Sequence, residues 1–506
     1  YPAFKRKLKK MTADGKIIRH KKGRLGQGLK TYEVIGKLHV KTQGYGFLVT
    51  EEEKLDIFIS QKNMNTAFHG DTVRAVLFAQ LKGKSQEAKV IEVIKRSRQN
   101  IVGIFQQGKY WGIVIPDEIK IHRDIYIAPE NQMNARDGEK VVVHLLEWVD
   151  ERQNPQGKIV EVLGDPKQPG VDILSIARSF DLPDRFPKNV MTEAEHTADT
   201  IPESEIKRRL DWRNELTFTI DPVDSKDFDD AVSLKTLNNG NYLLGVHIAD
   251  VSYYVKQGSK LDEESHKRGT SVYLVDRVIP MYPERLSNEI CSLKQGKDRL
   301  TFSVIVELTP AADIVHFEIT ESIINSDRRF TYEEVQEIID GKVNDDKFQS
   351  VIQLMLKLSK KLIEKRQKRG SLDFSSQEVR IILDKNLYPI SIEKVRQLDS
   401  HRIIEEFMVL ANSIVATYVD VILKEKIGKT IPFPYRIHER PSLEKLKDFQ
   451  LFLNALGINF KLKKRVTPTI FQKLQKSIQG TDKQVLVEEV MIRSMMKARY
   501  STKNEG

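Results

Sequence analysis

The sequence of 506 residues predicts a multidomain protein in which two small all-β barrels precede a larger α+β domain. A glycine-punctuated pattern of short strands occurs twice in the first third, with the second copy roughly 67 residues after the first. Strand-like segments rich in β-branched and aromatic residues follow near residues 216–248, and amphipathic helical patterns dominate after residue 350. The length itself suits about three or four domains.

The first element is a basic arm, assigned to residues 1–32. Residues 1–30 hold eleven Lys and Arg against a single acid, Asp14, so this segment carries nearly all of the net charge of +11. Such a local excess of cations is typical of a segment that binds phosphates, with an affinity that falls steeply with salt. A disordered, solubilising tail is the alternative. The sequence leaves both interpretations open.

The two barrels are assigned to residues 33–98 and 99–165. Segments 44–49 and 56–60 of the first copy correspond to 112–115 and 124–128 of the second. The interval from the aspartate to the last glycine is the same in both, from Asp56 to Gly70 and from Asp124 to Gly138. Short strands over about 65 residues suit the OB-fold, the small barrel that binds single-stranded nucleic acid.

Aromatic residues of the first barrel predict a stacking surface. Tyr45, Phe47 and Phe58 fall on strand-like segments, where alternate residues share a face and exposed rings can stack on bases. Packing into the barrel core is the alternative for Phe47 and Phe58. The second copy has Trp111 and Tyr126 near comparable positions but fewer aromatic residues, so it predicts the fold more firmly than a binding role.

Five carboxylates crowd ten residues of the larger domain, and these residues carry most of the chemical information. They follow a predicted strand at residues 216–220, which Pro222 ends, and precede another that begins at Ala231. Neighbouring anions must either keep protons or recruit a cation, and oxygen-only ligands favour Mg²⁺ or Mn²⁺ over Zn²⁺. A solvated acidic turn is the alternative. The five residues are Asp221, Asp224, Asp227, Asp229 and Asp230.

Metal ions held by carboxylates are the usual apparatus for in-line displacement at phosphorus, so phosphodiester hydrolysis is the leading reaction class. Amphipathic patterns predict helices near residues 351–370, 401–424 and 468–480, which would wall the sheet and build a substrate channel. The single cysteine, Cys291, suits a reducing cytoplasm. No uninterrupted apolar run approaches the roughly 18 residues of a membrane span, so no membrane partner is expected.

Several motifs together resemble those of the ribonuclease II/ribonuclease R (RNB) family. Gly44-Tyr45-Gly46-Phe47 and Asp56-Ile57-Phe58-Ile59 are similar to the RNA-binding motifs of cold-shock domains. The stretches at 219–232, 246–255, 269–273, 279–288 and 436–441 resemble successive motifs of the catalytic domain. The basic start, with Gly15-Lys16-Ile17-Ile18 resembling the wing of a winged-helix domain, favours the ribonuclease R branch. The catalytic domain is assigned to residues 166–506.

The resemblance implies a magnesium-dependent, processive 3′→5′ exoribonuclease that releases nucleoside 5′-monophosphates from single-stranded RNA and acts as a cytoplasmic monomer. Asp221, Asp227, Asp229 and Asp230 would hold the metal and activate water, with Asp224 the least secure member of the group. Tyr273 would orient the 3′-terminal nucleotide, and Phe374 would be a second aromatic clamp. An RNA-binding or chaperone protein with an inactive nuclease domain, and a phosphohydrolase acting on DNA or nucleotides, are the alternatives.

The sequence departs from the family at its end. The family has a Ser-Pro-Ile-Arg-Arg stretch, with an arginine that contacts the scissile phosphate, after the helix expected here from about Val485 to Tyr500. That stretch, a later catalytic glutamate and the C-terminal OB-fold have no counterpart in the 506 residues. The expectation is a family member whose C-terminal part is missing.

Overall fold

The computed structural model divides the chain into two units. The first comprises Tyr1–Asp184, Tyr273–Ile279 and Leu383–Ile390, and the second comprises Arg185–Val272, Pro280–Ile382 and Ser391–Gly506. The structure describes residues 2–13, 17–19, 25–27, 33–50, 56–78, 85–372, 379–429, 431–462 and 466–505. Two barrels in the first unit and a mixed sheet with helices in the second confirm the predicted fold class.

The basic arm contains a helix and a hairpin. Lys5, Arg6 and Lys7 on the helix are exposed. The two short strands pair antiparallel, with Ile18 opposite Gly26. The assignment of residues 1–32 to a winged-helix remnant stays a prediction, because much of this segment lies outside the described residues. The elements are α1 (Pro2–Ala13), β1 (Ile17–Arg19) and β2 (Leu25–Gln27).

The first barrel is built from five strands: β3 (Glu33–Val40), β4 (Gly46–Val49), β5 (Ile57–Ile59), β6 (Thr72–Leu77) and β7 (Ala88–Lys95). They lie in the order β5-β4-β3-β6-β7, and a bridge from Phe58 to Glu87 brings the two edge strands together. Alternate residues such as Leu38, Leu48 and Ile57 point inward and are fully buried. A Cβ on Gly36 would come within 2.5 Å of the Val49 carbonyl oxygen, so only glycine fits there.

The second barrel repeats this arrangement and is closed. Its strands are β8 (Asn100–Gln107), β9 (Gly112–Pro116), β10 (Ile125–Ile127), β11 (Lys140–Leu145) and β12 (Gln156–Gly164). Gly103 takes the place of Gly36, since a Cβ there would lie 2.3 Å from the Ile115 carbonyl oxygen. Gly70 and Gly138 both have left-handed backbone, with φ of 89° and 84°. The internal repeat predicted from the glycine pattern is therefore confirmed.

A seven-stranded sheet forms the centre of the second unit, in the order β13-β20-β19-β16-β15-β14-β21. Its inner pairs are antiparallel, whereas the pairs β13 with β20 and β14 with β21 are parallel. The elements from the second barrel to the last strand of this sheet are α2 (Val171–Ser179), α3 (Lys188–His196), α4 (Glu203–Arg208), β13 (Leu210–Asp211), β14 (Thr217–Asp221), β15 (Asp230–Thr236), β16 (Tyr242–Ala249), α5 (Val251–Tyr254), α6 (Lys260–Arg268), β17 (Val272–Tyr273), β18 (Val278–Ile279), a π-helical segment (Arg285–Ile290), β19 (Asp298–Leu308), β20 (Ile314–Asn325) and β21 (Arg328–Thr331).

Helices cover the sheet and continue to the end of the chain. They begin with α7 (Tyr332–Ile339), α8 (Gln349–Arg369) and α9 (Asp399–Thr417), whose apolar faces share one core with the sheet. As predicted, α8 ends at Gly370, which has φ of 108°. The remaining elements are β22 (Val379–Leu383), β23 (Pro389–Lys394), a π-helical segment (Tyr418–Leu423), α10 (Lys424–Ile427), β24 (Tyr435–Ile437), α11 (Leu443–Ala455), α12 (Pro468–Ile478), α13 (Gln484–Ser494) and β25 (Arg499–Ser501).

One sequence-based expectation needs correction, and one helix is apolar enough to be noted. The helix expected to reach Tyr500 ends at Ser494, because Arg499–Ser501 pairs with Tyr435–Ile437 as an antiparallel strand instead. The stretch Asp399–Ile427 is long and apolar enough by composition to span a membrane, since an 18-residue window within it has a mean hydropathy of 1.6. Ile403, Phe407 and Ile414 of this stretch are buried in the core over the sheet, although only 22% of its apolar window is buried.

Candidate active site and RNA-binding surface

The carboxylate loop lies where the central sheet splits. Strand β14 pairs with β15 only through Thr217 and Phe218, and its remaining residues pair with β21 on the other side. Asp221 is the last residue of β14 and Asp230 is the first of β15. The two carboxylates therefore flank the point at which neighbouring strands separate, and residues 222–229 form the loop between them.

Ser292 anchors the loop from the end of the π-helical segment. Its fully buried hydroxyl accepts a hydrogen bond from the Phe228 backbone N–H (3.1 Å) and donates one to the Lys226 carbonyl (3.0 Å). The Leu293 N–H donates to the Phe228 carbonyl (2.9 Å), and the Ala249 N–H donates to the Asp229 carbonyl (2.9 Å). These contacts fix the backbone of the last loop residues before any ligand binds.

Burial and mutual repulsion raise the pKa values of three carboxyls in this loop. Asp221 is buried, one of its oxygens has no hydrogen-bond partner, and desolvation with the charge of Asp230 raises its pKa to about 7. Desolvation and the charge of Asp229 raise the pKa of Asp230 to about 6. The pKa of Asp229 is also raised, by desolvation of its carboxyl group and by the charge of Asp227, although the residue as a whole is exposed. A nearby cation would lower all three pKa values and favour the ionised carboxylates.

The other two carboxylates of the loop differ from these. Asp227 accepts a hydrogen bond from the Ser225 hydroxyl (3.1 Å), which orients it inside the loop. Asp224 is exposed and pairs with Arg380 at 2.9 Å, so it already has a cation. The structure thus links Asp221, Asp227, Asp229 and Asp230 through their charges and sets Asp224 apart. The role of all four as metal ligands stays a prediction.

The donor set fits a hard divalent metal in part. All four candidates are carboxylates, and Asp221 has an unpartnered buried oxygen. Within the described ranges, however, no group of three or more His, Cys, Asp or Glu side chains is arranged to hold a metal ion. Mg²⁺ commonly takes one or two protein carboxylates and completes its shell with water and substrate phosphate. Asp221 and Asp230 could supply such a partial ligand set.

Sequence reasoning missed Arg329 and Tyr332, which the parallel pairing of β14 with β21 brings to the site. Arg329 donates to the Val223 carbonyl (3.1 Å) and to that of Pro222, and its charge opposes the rise in the pKa of Asp221. Burial and the charges of Asp230 and Asp221 raise the pKa of Tyr332 to about 12. Its ring stacks on His401 at 3.9 Å. No signal local to the carboxylate loop points to these residues.

The structure leaves the two predicted nucleotide clamps untested. Tyr273 lies on a short hairpin of β17 and β18 in the first unit, and 67% of its side chain is exposed. Phe374 lies outside the described residues. Both assignments therefore remain predictions.

The first barrel displays its three predicted aromatic residues on one outer face. Phe47 pairs with Phe58 across β4 and β5, and their ring centroids are 5.9 Å apart. Tyr45 lies 5.8 Å from Phe47 and 5.6 Å from Phe58. All three are half-buried, whereas Leu48, Ile57 and Ile59 fill the interior, so core packing does not explain Phe47 and Phe58. The ammonium group of Lys41 lies 5.7 Å from the Phe47 ring.

The second barrel carries a weaker version of this face. Tyr126 occupies the position of Phe58, but its partner across the ladder is Ile113 where the first barrel has Phe47. Trp111 precedes Gly112 as Tyr45 precedes Gly46, and 40% of its side chain is exposed. The second barrel thus has an aliphatic side chain, Ile113, where the first barrel has Phe47. We therefore expect the stacking surface of the second barrel to be weaker.

Comparisons with known proteins place these features in one family. The RNB domain model matches residues 209–506, the ribonuclease B OB domain model matches 36–93 and a cold shock domain model matches 113–187. Ribonuclease R of Thermotoga maritima is 38% identical over 508 residues, which cover 99% of this chain and 70% of that protein. Ribonuclease R 1 of Lactococcus lactis is 37% identical over 496 residues, with coverage of 94% and 59%. The chain thus spans 59–70% of the length of these two relatives.

Solved structures share the fold. Mycoplasma genitalium RNase R in complex with ribose-methylated single-stranded RNA matches with a TM-score of 0.85 and 26% identity, covering 93% of this chain and 74% of that chain. Yeast Ssd1, a pseudonuclease, matches in fold with a TM-score of 0.70 and 18% identity, covering 97% and 64%.

Proposed function

Because the chain belongs to the RNB family of exoribonucleases and aligns with ribonuclease R along nearly its whole length, we propose that it degrades RNA by hydrolysis from the 3′ end. It releases nucleoside 5′-monophosphates processively, requires Mg²⁺ or Mn²⁺, and acts on single-stranded and structured RNA. The observation that carries the proposal is Asp221, a buried carboxylate with an unpartnered oxygen and a pKa of about 7 beside Asp230. A solvated acidic turn would have neither property.

In this proposal Asp221, Asp227, Asp229 and Asp230 are the residues that would hold the divalent metal. The bound metal would neutralise charge on the phosphate and lower the pKa of water. Asp230, the first residue of β15, would accept a proton from the attacking water. The water oxygen would then bond to phosphorus as the bond from phosphorus to the 3′-oxygen of the penultimate nucleotide breaks. That 3′-oxygen would take up a proton and become a 3′-hydroxyl, and the terminal nucleotide would leave with a 5′-phosphate.

Two residues beyond the carboxylates support this chemistry. Arg329 positions the loop by holding the carbonyls of Pro222 and Val223, and its charge favours ionised carboxylates. Tyr332 keeps its proton at neutral pH, because burial and the charges of Asp230 and Asp221 raise its pKa to about 12. Its hydroxyl is therefore available as a hydrogen-bond donor at the edge of the site.

The RNA-binding role rests on the first barrel and the basic arm. Tyr45, Phe47 and Phe58 offer ring faces to bases without reading sequence, and the cation of Lys41 lies beside them. Tyr273 and Phe374 are proposed to grip the terminal nucleotide. Magnesium as the preferred metal, a cytoplasmic location and a monomeric state are parts of the same proposal.

A product assay tests the proposal. End-labelled single-stranded RNA and DNA of one sequence are incubated with the protein in Mg²⁺ or EDTA, and the products are resolved by length and by mononucleotide identity. We expect a 5′-labelled RNA to shorten stepwise from its 3′ end in Mg²⁺ only, with 5′-monophosphates released and DNA spared. Binding of RNA without cleavage in Mg²⁺ and Mn²⁺ would contradict it and favour an RNA-binding protein with an inactive nuclease domain.

A further inference from the structure

The first unit has a basic cleft between its two barrels. The cleft has a volume of about 510 Å³, large enough for a nucleotide. Three of its lining residues are cations and Asp124 is the one acid among those that line it, so a negatively charged ligand is favoured. The polar side chains that matter here are Gln61, Lys62 and Asn65 from the first barrel and Lys120, His122 and Arg123 from the second.

An aromatic contact holds the walls of the cleft together. Phe68 of the first barrel is buried in the core of the second, where its ring lies 5.3 Å from that of Trp148. The guanidinium group of Arg96 lies over both rings and donates to Asp71 (2.7 Å) and to the Thr66 carbonyl (2.6 Å). Since these groups are fixed by packing, the cleft is preformed, and binding there requires little ordering of the protein.

One polar contact beside the cleft joins Lys120, which lines the cleft, to His69, and the protein groups that make it cannot satisfy it. The Val40 N–H donates to Nδ1 of His69 at 3.1 Å, so a neutral His69 carries its proton on Nε2. That Nε2 lies 3.4 Å from the Lys120 ammonium group, which can also only donate. Burial and the charge of Lys120 lower the pKa of His69, which keeps the ring neutral. Two donors thus converge where Lys120 borders the cleft, and an acceptor oxygen would satisfy both.

We propose that this cleft binds the phosphate group of a nucleotide, with an oxygen on Lys120 Nζ at the border of the cleft, on the side where His69 Nε2 lies. Arg123 and Lys62 add positive charge, and the amides of Gln61 and Asn65 can donate to sugar or base oxygens. The proposal rests on the proposed function for the source of the ligand. A phosphate of the RNA backbone and the phosphate of a released 5′-mononucleotide have the same binding chemistry.

Calorimetric titrations in EDTA test the site without any turnover. The ligands are adenosine 5′-monophosphate, inorganic phosphate, adenosine and an oligoadenylate whose integrity is checked afterwards. The variant Lys120→Met removes the ammonium group, and Lys158→Met is the matched control, since Lys158 is an exposed lysine of the same barrel outside the cleft. Thermal unfolding verifies that both variants remain folded.

We expect the unmodified protein to bind the phosphate-bearing ligands but not adenosine, and Lys120→Met to weaken phosphate binding at least about tenfold, against less than about twofold for Lys158→Met. Lys120→Arg should restore most of the affinity. A loss with the mononucleotide identifies a product site, and a loss with oligoadenylate alone identifies a backbone contact. Equal affinities for Lys120→Met and Lys158→Met would overturn the proposal, whatever the outcome of the cleavage assay.

Discussion

Asp221 lies opposite Thr331 in the parallel ladder that joins β14 to β21. The ladder between β14 and β15 has ended three residues earlier, at Phe218 and Val232, so Asp221 sits at a split in the sheet. Arg329 lies two residues before Thr331 and Tyr332 directly after it, so the same pairing brings both residues close to Asp221. A buried carboxylate, a cation and a phenol are thereby assembled from two distant segments of the chain.

Asp221→Asn is expected to stabilise the metal-free protein at alkaline pH. Burial raises the pKa of Asp221 from its ordinary 3.8 to about 7, so the folded state keeps a proton that the unfolded state loses. This stabilisation is complete below about pH 4 and is lost as pH rises through 7. The asparagine amide of the variant does not titrate, so it makes no pH-dependent contribution to the free energy of unfolding. In EDTA at pH 8, urea denaturation should show a free energy of unfolding higher by roughly 1–3 kcal/mol.

The control is Asp224→Asn, which changes an exposed carboxylate paired with Arg380 and should alter the free energy of unfolding by less than about 0.5 kcal/mol. If Asp221→Asn lowers stability equally at pH 5 and pH 8, the raised pKa of Asp221 is wrong.

Phe47→Ala and Phe58→Ala are each expected to weaken single-stranded RNA binding by about 5- to 100-fold, because each removes a ring on which a base can stack. Both rings are half-buried on the outer face, so the barrel should remain folded. Tyr126→Ala in the second barrel is the matched control, and its effect should be several-fold smaller, since Ile113 stands beside it. Fluorescence anisotropy with oligoadenylate in EDTA measures all three, and equal losses would mean that the barrels contribute alike.

Arg329→Met is expected to lower kcat at least about tenfold while changing RNA affinity less than about twofold. Arg329 contacts the Pro222 and Val223 carbonyls and so positions the carboxylate loop. Arg329→Lys should recover part of the rate, because a lysine keeps the charge. The control is Arg380→Met, which removes only the exposed pair with Asp224. A rise in KM with unchanged kcat would show that Arg329 acts in RNA binding instead.

His247→Ala is expected to lower the free energy of unfolding by about 2–4 kcal/mol at pH 7. The imidazole is fully buried between the hydroxyls of Ser233 (3.0 Å) and Ser303 (2.7 Å), and its loss leaves a cavity and unpaired hydroxyls. The exposed His316 offers a control, for which alanine should change stability by less than about 0.5 kcal/mol.

His247 also predicts a pH dependence. Burial lowers its pKa to about 3, whereas an unfolded imidazole titrates near its ordinary 6.5. The unfolded state therefore binds an extra proton between these values, and stability should fall as pH drops from about 6.5 towards 3. The alanine variant should lose this part of the acid sensitivity. An identical acid sensitivity in His247→Ala would mean that the buried ring is not its source.

Local patterns determined how far the sequence could predict this structure. The carboxylates are contiguous, and Pro222 marks the end of their strand, so loop and neighbouring strands followed from the residues alone. Alternation along β4 and β5 likewise placed Phe47 and Phe58 on one face. Arg329, Tyr332 and the contact between Phe68 and Trp148 depend on pairings between distant segments, which periodicity does not encode. The prediction of a helix beyond Ser494 was wrong, because Arg499–Ser501 pairs as a strand with Tyr435–Ile437 and this tertiary contact outweighs the local helical pattern.

The most direct test compares Asp229→Asn with Asp224→Asn in single-turnover cleavage of single-stranded RNA at saturating Mg²⁺, with RNA affinity measured in EDTA. Both variants replace one carboxylate of the same loop, but only Asp229 belongs to the cluster with raised pKa values. We expect Asp229→Asn to reduce the cleavage rate at least about a thousandfold and Asp224→Asn less than about tenfold, with both affinities nearly unchanged. Equal cleavage rates for the two variants, or parallel losses of cleavage and RNA binding, would contradict a metal-dependent nuclease site in this loop.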